Sequence, residues 1–179
     1  MNLSALVKNV LYIGGRPAIW VLFHLLVWRE PRTRVGPFDV IALSDCDDIE
    51  SHVAKFAEAA DLLQQCDPIR FRRIAHTIRL IVVYDYTRGF EAEYHHFARA
   101  MVMQTRVLKL CHAEAVAAVL AHEATHGRLD DMGIWQHHGI RERVERICLR
   151  NEVWCLEKLP GAGQLLQTKK DSLARGDVM

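Results

Sequence analysis

The run from His112 to Arg128, HAEAVAAVLAHEATHGR, constrains the fold more than any other segment. It is rich in alanine, contains no proline, and is apolar around most of its girth as far as Leu120. A helix that is apolar on all sides belongs in the middle of a domain. The second half of the same helix carries His122, Glu123 and His126. Two imidazoles and a carboxylate are expensive to bury without partners. The helix is therefore expected to cross the interior and end in a polar site, with Gly127 near its C-terminus.

His122, Glu123 and His126 match the pattern HExxH. Histidines at i and i+4 project from one helical face, so both rings can reach one ion. Zinc accepts neutral imidazole nitrogens at about 2.0–2.1 Å. The glutamate between them sits where it can take a proton from zinc-bound water, while the ion polarises a substrate carbonyl. In a chain of this composition the pattern arises by chance about 3% of the time. The buried helix around it lowers that figure. The competing expectation is a pair of structural histidines satisfied by neighbouring carboxylates.

A catalytic zinc takes three protein ligands, so a third must come from elsewhere. The following helical segment offers Glu142, Glu145, Glu152 and Glu157. In an antiparallel pair with a rise of about 1.5 Å per residue, Glu145 falls nearly level with the two histidines and Glu152 about 10 Å further along. The expected order is Glu145, then Glu152, then Glu142. Carboxylates not used in this way are expected to pair with Arg141, Arg146 or Arg150 on the same helix.

The rest of the chain reads as α+β. A helix is expected from about Asp47 to Gln65, with Ile49, Val53, Phe56, Ala60 and Leu63 as its apolar stripe. Its acidic start lacks the glycine and terminal glutamate of a calcium loop. Asp67-Pro68 stops it. A short basic stretch leads to a buried strand, Ile78 to Tyr86, and a turn at Thr87-Arg88-Gly89. A weaker strand falls within Tyr94 to Leu110, its part Ala100 to Val107 expected at a sheet edge. A loop over Asp130 to Gly139 precedes a helix from Ile140 to Leu159, stopped by Pro160-Gly161. The expected order is thus a helix, a small antiparallel sheet, the buried HExxH helix and an antiparallel glutamate-bearing helix. Residues 1–38 form an apolar segment and a linker (Glu30 to Phe38), 39–160 the domain, and 161–179 a flexible tail.

Charge is balanced, with 23 Lys+Arg against 22 Asp+Glu, which disfavours nucleic-acid binding. Arg70, Arg72, Arg73 and Arg79 are expected on a solvated face. Five cysteines without a CxxC pair fit a reducing compartment better than a disulfide framework, and Cys148 and Cys155 are expected as buried, inert side chains. The apolar stretch over 10–28 is shorter than the roughly 20 residues of a spanning helix once Gly14, Gly15 and Arg16 are set aside. It is read as a core or docking helix, an interfacial anchor or a span, in that order. The expected location is cytoplasmic, with membrane-surface contact through 10–28. No GxSxG and no phosphate-cradling glycine loop is present.

LAHEATHGRLDD (Leu120 to Asp131) followed by RERVERICLRNE (Arg141 to Glu152) resembles the gluzincin type of zinc metallopeptidase. Similar in kind are the heat-shock and prenyl-protein-processing membrane peptidases and the small regulator-cleaving peptidases of bacteria. The likeness covers about Asp47 to Leu159, and its specific part is confined to two helices. It implies a zincin-like core, His122 and His126 as zinc ligands, Glu123 as general base, and a glutamate ligand at Glu145 or Glu152. Many gluzincins carry an aspartate four residues after the ligand glutamate to orient a histidine. Here those positions hold Leu149 and Leu156. His137, His138 and Tyr94 are candidates for steadying the transition state. The expected activity is zinc-dependent hydrolysis of a peptide or protein substrate. The alternatives are a hydrolase of non-peptide bonds, and a non-catalytic, metal- or carboxylate-braced module that docks a partner or membrane.

Overall fold

The computed structural model describes residue 27 and residues 30–42, 48–85, 91–134 and 139–176. Apart from Val27, the apolar run over 10–28 lies outside the described residues, as do His137 and His138. Among the described residues no helix is long and apolar enough to cross a membrane.

Among the described residues the structure is mixed α and β, with six α-helices and one five-stranded sheet. Strand β1 (Thr33–Val35) and strand β2 (Phe38–Ala42) make an antiparallel hairpin where the sequence suggested a linker. Gly36 supplies the left-handed backbone of the turn, at φ 54°. Helix α1 (Ile49–Cys66) starts at Asp48, whose carboxylate accepts the Ser51 amide at 3.3 Å. Its buried face is His52, Phe56, Ala59, Ala60 and Leu63, so the stripe begins at His52, and Ile49 stays exposed.

Asp67 and Pro68 end α1 and also begin helix α2 (Pro68–Thr77). Proline suits a first helical position, where its missing N–H is no loss. The basic stretch is thus a helix rather than a connector. Arg72, Arg73 and Arg79 are exposed, whereas Arg70 turns inward. Arg70 donates to Asp67 at 3.0 Å and to the Asn151 carbonyl at 3.0 Å.

Strand β3 (Leu80–Tyr84) is buried along its whole length, as the unbroken apolar run LIVVY demands of a central strand. Strands β4 (Ala92–His95) and β5 (Ala100–Gln104) complete the sheet in the order β1-β2-β3-β5-β4. The expected antiparallel sheet is corrected to a mixed one. Strands β2, β3 and β5 run parallel, because α1 and α2 carry the chain back to the end where β2 began. Only β1 and β4, at the two edges, run antiparallel to their neighbours. The expected edge segment is also corrected. Residues 100–104 lie between β3 and β4, and Thr105–Leu110 is helix α3.

Helix α4 (Ala113–Asp131) carries the HExxH residues, and helix α5 (Arg141–Leu156) follows. Cys148 packs with Leu129 at one end of the pair, while the Cys155 thiol lies 3.8 Å from the Ala117 carbonyl at the other. The two helices are therefore antiparallel. One core joins the sheet to α1, α2, α4 and α5 through Phe38, Phe56, Leu63, Ile81, Leu120 and Leu156. Phe38 meets Phe56 and Phe71 edge-on at 5.5 and 5.8 Å, locking β2 to α1 and α2. The expected loose tail is instead helix α6 (Gly163–Arg175), which packs on α5. Its Leu165 and Leu166 rest against the main core.

Candidate metal centre

Helix α4 is buried through Val116, Ala117, Ala118, Leu120 and Ala121, and this fixes its roll. Gly127 is an interior residue of α4, one turn short of the helix end, which corrects its expected terminal role. Its reason is close approach. A Cβ there would strike Thr77 Cγ2 and come within 2.6 Å of the Tyr94 ring. The missing side chain lets edge strand β4 lie against the HExxH helix. The left-handed residue after the helix is Gly133, at φ 75°.

With the roll fixed, His122 and His126 turn to the same side. Their Nε2 atoms are 3.2 Å apart. Glu145 reaches in from α5, and its Oε2 is 3.4 Å from each of those two nitrogens. The three atoms form a nearly equilateral triangle. Ligands bound to one tetrahedral zinc at about 2.0–2.2 Å stand about 3.3–3.6 Å from one another. Two of the three separations fall in that range and the third, 3.2 Å, lies just below it, and the donor set of two imidazoles and a carboxylate suits zinc.

Glu152 takes a different position. Its Oε2 is 3.2 Å from His122 Nδ1, the ring nitrogen opposite the triangle. Its Oε1 accepts Lys169 Nζ of α6 at 2.7 Å. Glu152 thus meets His122 on the side away from Glu145, a polar contact that Leu149 and Leu156 cannot make. Glu142 is exposed and pairs with Arg146 at 2.8 Å.

Electrostatically, His122, Glu145 and Glu152 form a charged network. Burial opposes ionisation of Glu145, but hydrogen bonds from His122 and His126 hold its carboxyl down to about 2. Burial works against a charged His122, yet Glu145 and Glu152 together raise it to about 10. Glu123 is 7% exposed. Burial raises its carboxyl against the pull of His122 and His126, with Glu145 and Glu93 adding to the rise.

Cys148 lies one turn after Glu145, and its sulfur falls within 4.8 Å of ligand nitrogens of both histidines. Burial, reinforced by Glu145 and Glu123, pushes its thiol far up. His122, His126 and Cys148 form a second group that could hold a metal, beside the triangle completed by Glu145. The sequence offered no signal for Cys148 beside the two histidines, since it reads as one more buried apolar position.

Tyr94 is placed close to α4 but is otherwise engaged. Its ring fills the space beside Gly127, and its hydroxyl donates to the Thr77 carbonyl at 3.5 Å. Burial first, then Asp131, raises that phenol to about 12. Lys169 was missed because 161–179 reads as polar. The repeat Leu166, Lys169, Leu173 at helical spacing was the available signal. A separate cavity of about 310 Å³ opens on another face of α4, lined by Arg70, Arg73, Thr125 and Trp154. None of the residues of the triangle lines it.

No protein-family model, no curated protein and no solved structure matches the chain.

Proposed function

We propose that the protein is a zinc-dependent hydrolase of peptide bonds, with His122, His126 and Glu145 as zinc ligands and Glu123 as general base. The observation that carries this is the triangle of His122 Nε2, His126 Nε2 and Glu145 Oε2, with sides of 3.2, 3.4 and 3.4 Å. Zinc bound there supplies Lewis acidity, polarising a carbonyl and acidifying a water molecule. Glu123, adjacent to His122 on α4, takes the proton of the attacking water and returns it to the departing amine. Burial of Glu123 suits the task, because a carboxylate in a dry setting is a stronger base than one in water. Glu152 holds His122 by Nδ1 and leaves Nε2 for the ion.

The substrate preference rests on the sheet. Strand β4 is an edge strand that packs beside α4. An extended peptide added to β4 would carry its carbonyls past the HExxH helix. One observation favours a second reading, a carboxylate-braced module without chemistry. His122 has a carboxylate at each ring nitrogen, which would fully satisfy a charged imidazole without metal.

One experiment separates the two. Glu123→Gln should bind one equivalent of zinc like the wild type and lose peptide hydrolysis by at least about a hundredfold. Undiminished turnover in that variant, or no zinc in the wild type, would defeat the assignment.

A further inference from the structure

We propose that Lys169 is a positioning residue of the metal centre, so that docking of helix α6 and the grip on zinc form one coupled equilibrium. The inference rests on the zinc reading above and extends it to a helix that contributes no ligand.

The geometry is a three-link chain. Glu152 has only 3% of its side chain exposed, and its two oxygens are divided between two partners. Oε1 receives Lys169 Nζ at 2.7 Å, and Oε2 faces His122 Nδ1 at 3.2 Å. A carboxylate held at both oxygens cannot rotate. His122 Nδ1 then meets an acceptor of fixed direction, and its Nε2 is aimed at the triangle. Without the ammonium group, the Glu152 carboxylate is free to turn about its last bond, and the ring loses its fixed support.

The neighbouring lysine shows that this contact is particular. Lys170 pairs with Glu157 at 2.8 Å, and both side chains are more than two-fifths exposed. Exposed pairs of that kind contribute little. Lys169 is half as exposed as Lys170 and reaches a buried partner. Helix α6 has no fully buried residue. Leu165 and Leu166 hold it to the core, and the Lys169–Glu152 pair adds an anchor on a buried partner. Coupling between two sites is reciprocal. An ion that fixes His122 also fixes Glu152, and so favours the docked position of α6.

The test uses the full chain. Zinc affinity is measured by chelator competition for the wild type, Lys169→Met, Lys169→Arg and Lys170→Met. Amide exchange of residues 163–175 is followed with and without zinc. Lys169→Met should bind one equivalent about tenfold more weakly, at the lower end of outer-shell losses. Lys169→Arg should recover most of the loss, and Lys170→Met should match the wild type. In the wild type, zinc should slow exchange across α6. Wild-type affinity in Lys169→Met, or an equal loss in Lys170→Met, would overturn the inference while the zinc centre stands. Exchange of α6 indifferent to zinc would do the same, and that measurement needs no variant. A wild type that binds no zinc would overturn the centre itself.

Discussion

Glu145 Oε2 stands 3.4 Å from His126 Nε2, across the gap between two antiparallel helices. That separation is the distance of two ligands on one small ion. Removing the carboxylate should therefore remove the metal. Glu145→Ala is expected to lower zinc affinity at least about a hundredfold, whereas Glu152→Gln, which disturbs only the far side of His122, should lose about 10–100-fold. Metal content after dialysis against a weak chelator separates the two. Equal retention in Glu145→Ala and the wild type would contradict the assigned ligand set.

Cys148 provides the complementary check. Its sulfur is near both histidines, and burial and adjacent carboxylates raise its thiol. Cys148→Ala should keep a full equivalent of zinc and cost about 1 kcal/mol of stability through the small cavity it leaves. Loss of zinc in this variant, with Glu145→Ala unaffected, would exchange the roles of the two residues.

Gly127 is fixed by packing. In an open helix, alanine would gain about 1 kcal/mol over glycine. Here the added methyl meets Thr77 and the Tyr94 ring. Overpacking of that kind costs about 1–3 kcal/mol or more. A net loss of about 2 kcal/mol is expected for Gly127→Ala, read as a lowered midpoint in urea. Tyr94→Ala in the same chain should relieve part of the clash. A midpoint equal to or above that of the wild type would refute the packing account.

Asp67 predicts an acid-dependent share of stability. Burial alone would raise its carboxyl, but bonds from Lys158 and Arg70 bring it from 3.8 down to about 2. A folded value below the unfolded one stabilises at pH above about 4, and the gain disappears as pH falls through 2. Lys158 is half exposed, so screening reduces the linkage value to about 1 kcal/mol. Asp67→Asn should lose about that much near neutrality and show a flatter stability profile between pH 4 and 2. An unchanged acid limb in the variant would remove Asp67 from this role.

Much of the candidate site was legible because it depends on local periodicity. The i, i+4 spacing put His122 and His126 on one face, and the rise per residue singled out Glu145. Helix α1, strand β3 and the antiparallel α4–α5 pair follow from apolar patterning in the same way. What was hidden depends on distant partners. The strand order, and with it the edge position of β4, follows from the way α1 and α2 return the chain. Residues 68–77 look like a connector because the charges of Arg70, Arg72 and Arg73 obscure the buried positions Phe71 and Ile74. Gly127 looks terminal until Tyr94 is seen against it. The work of Glu152 turns on which nitrogen of His122 it faces, and spacing alone does not encode that.

Among the described residues, the side chains that His122 is shown to meet, and the Lys169 that holds one of them, fall between His122 and Lys169 in the sequence. Closing such short segments costs little chain entropy compared with aligning β2, β3 and β5 across the helices that separate them. The helical hairpin therefore has the means to gather its donors before the strands find their register. Zinc present during synthesis would then act as an early clasp on a chain still completing its remaining long-range pairings.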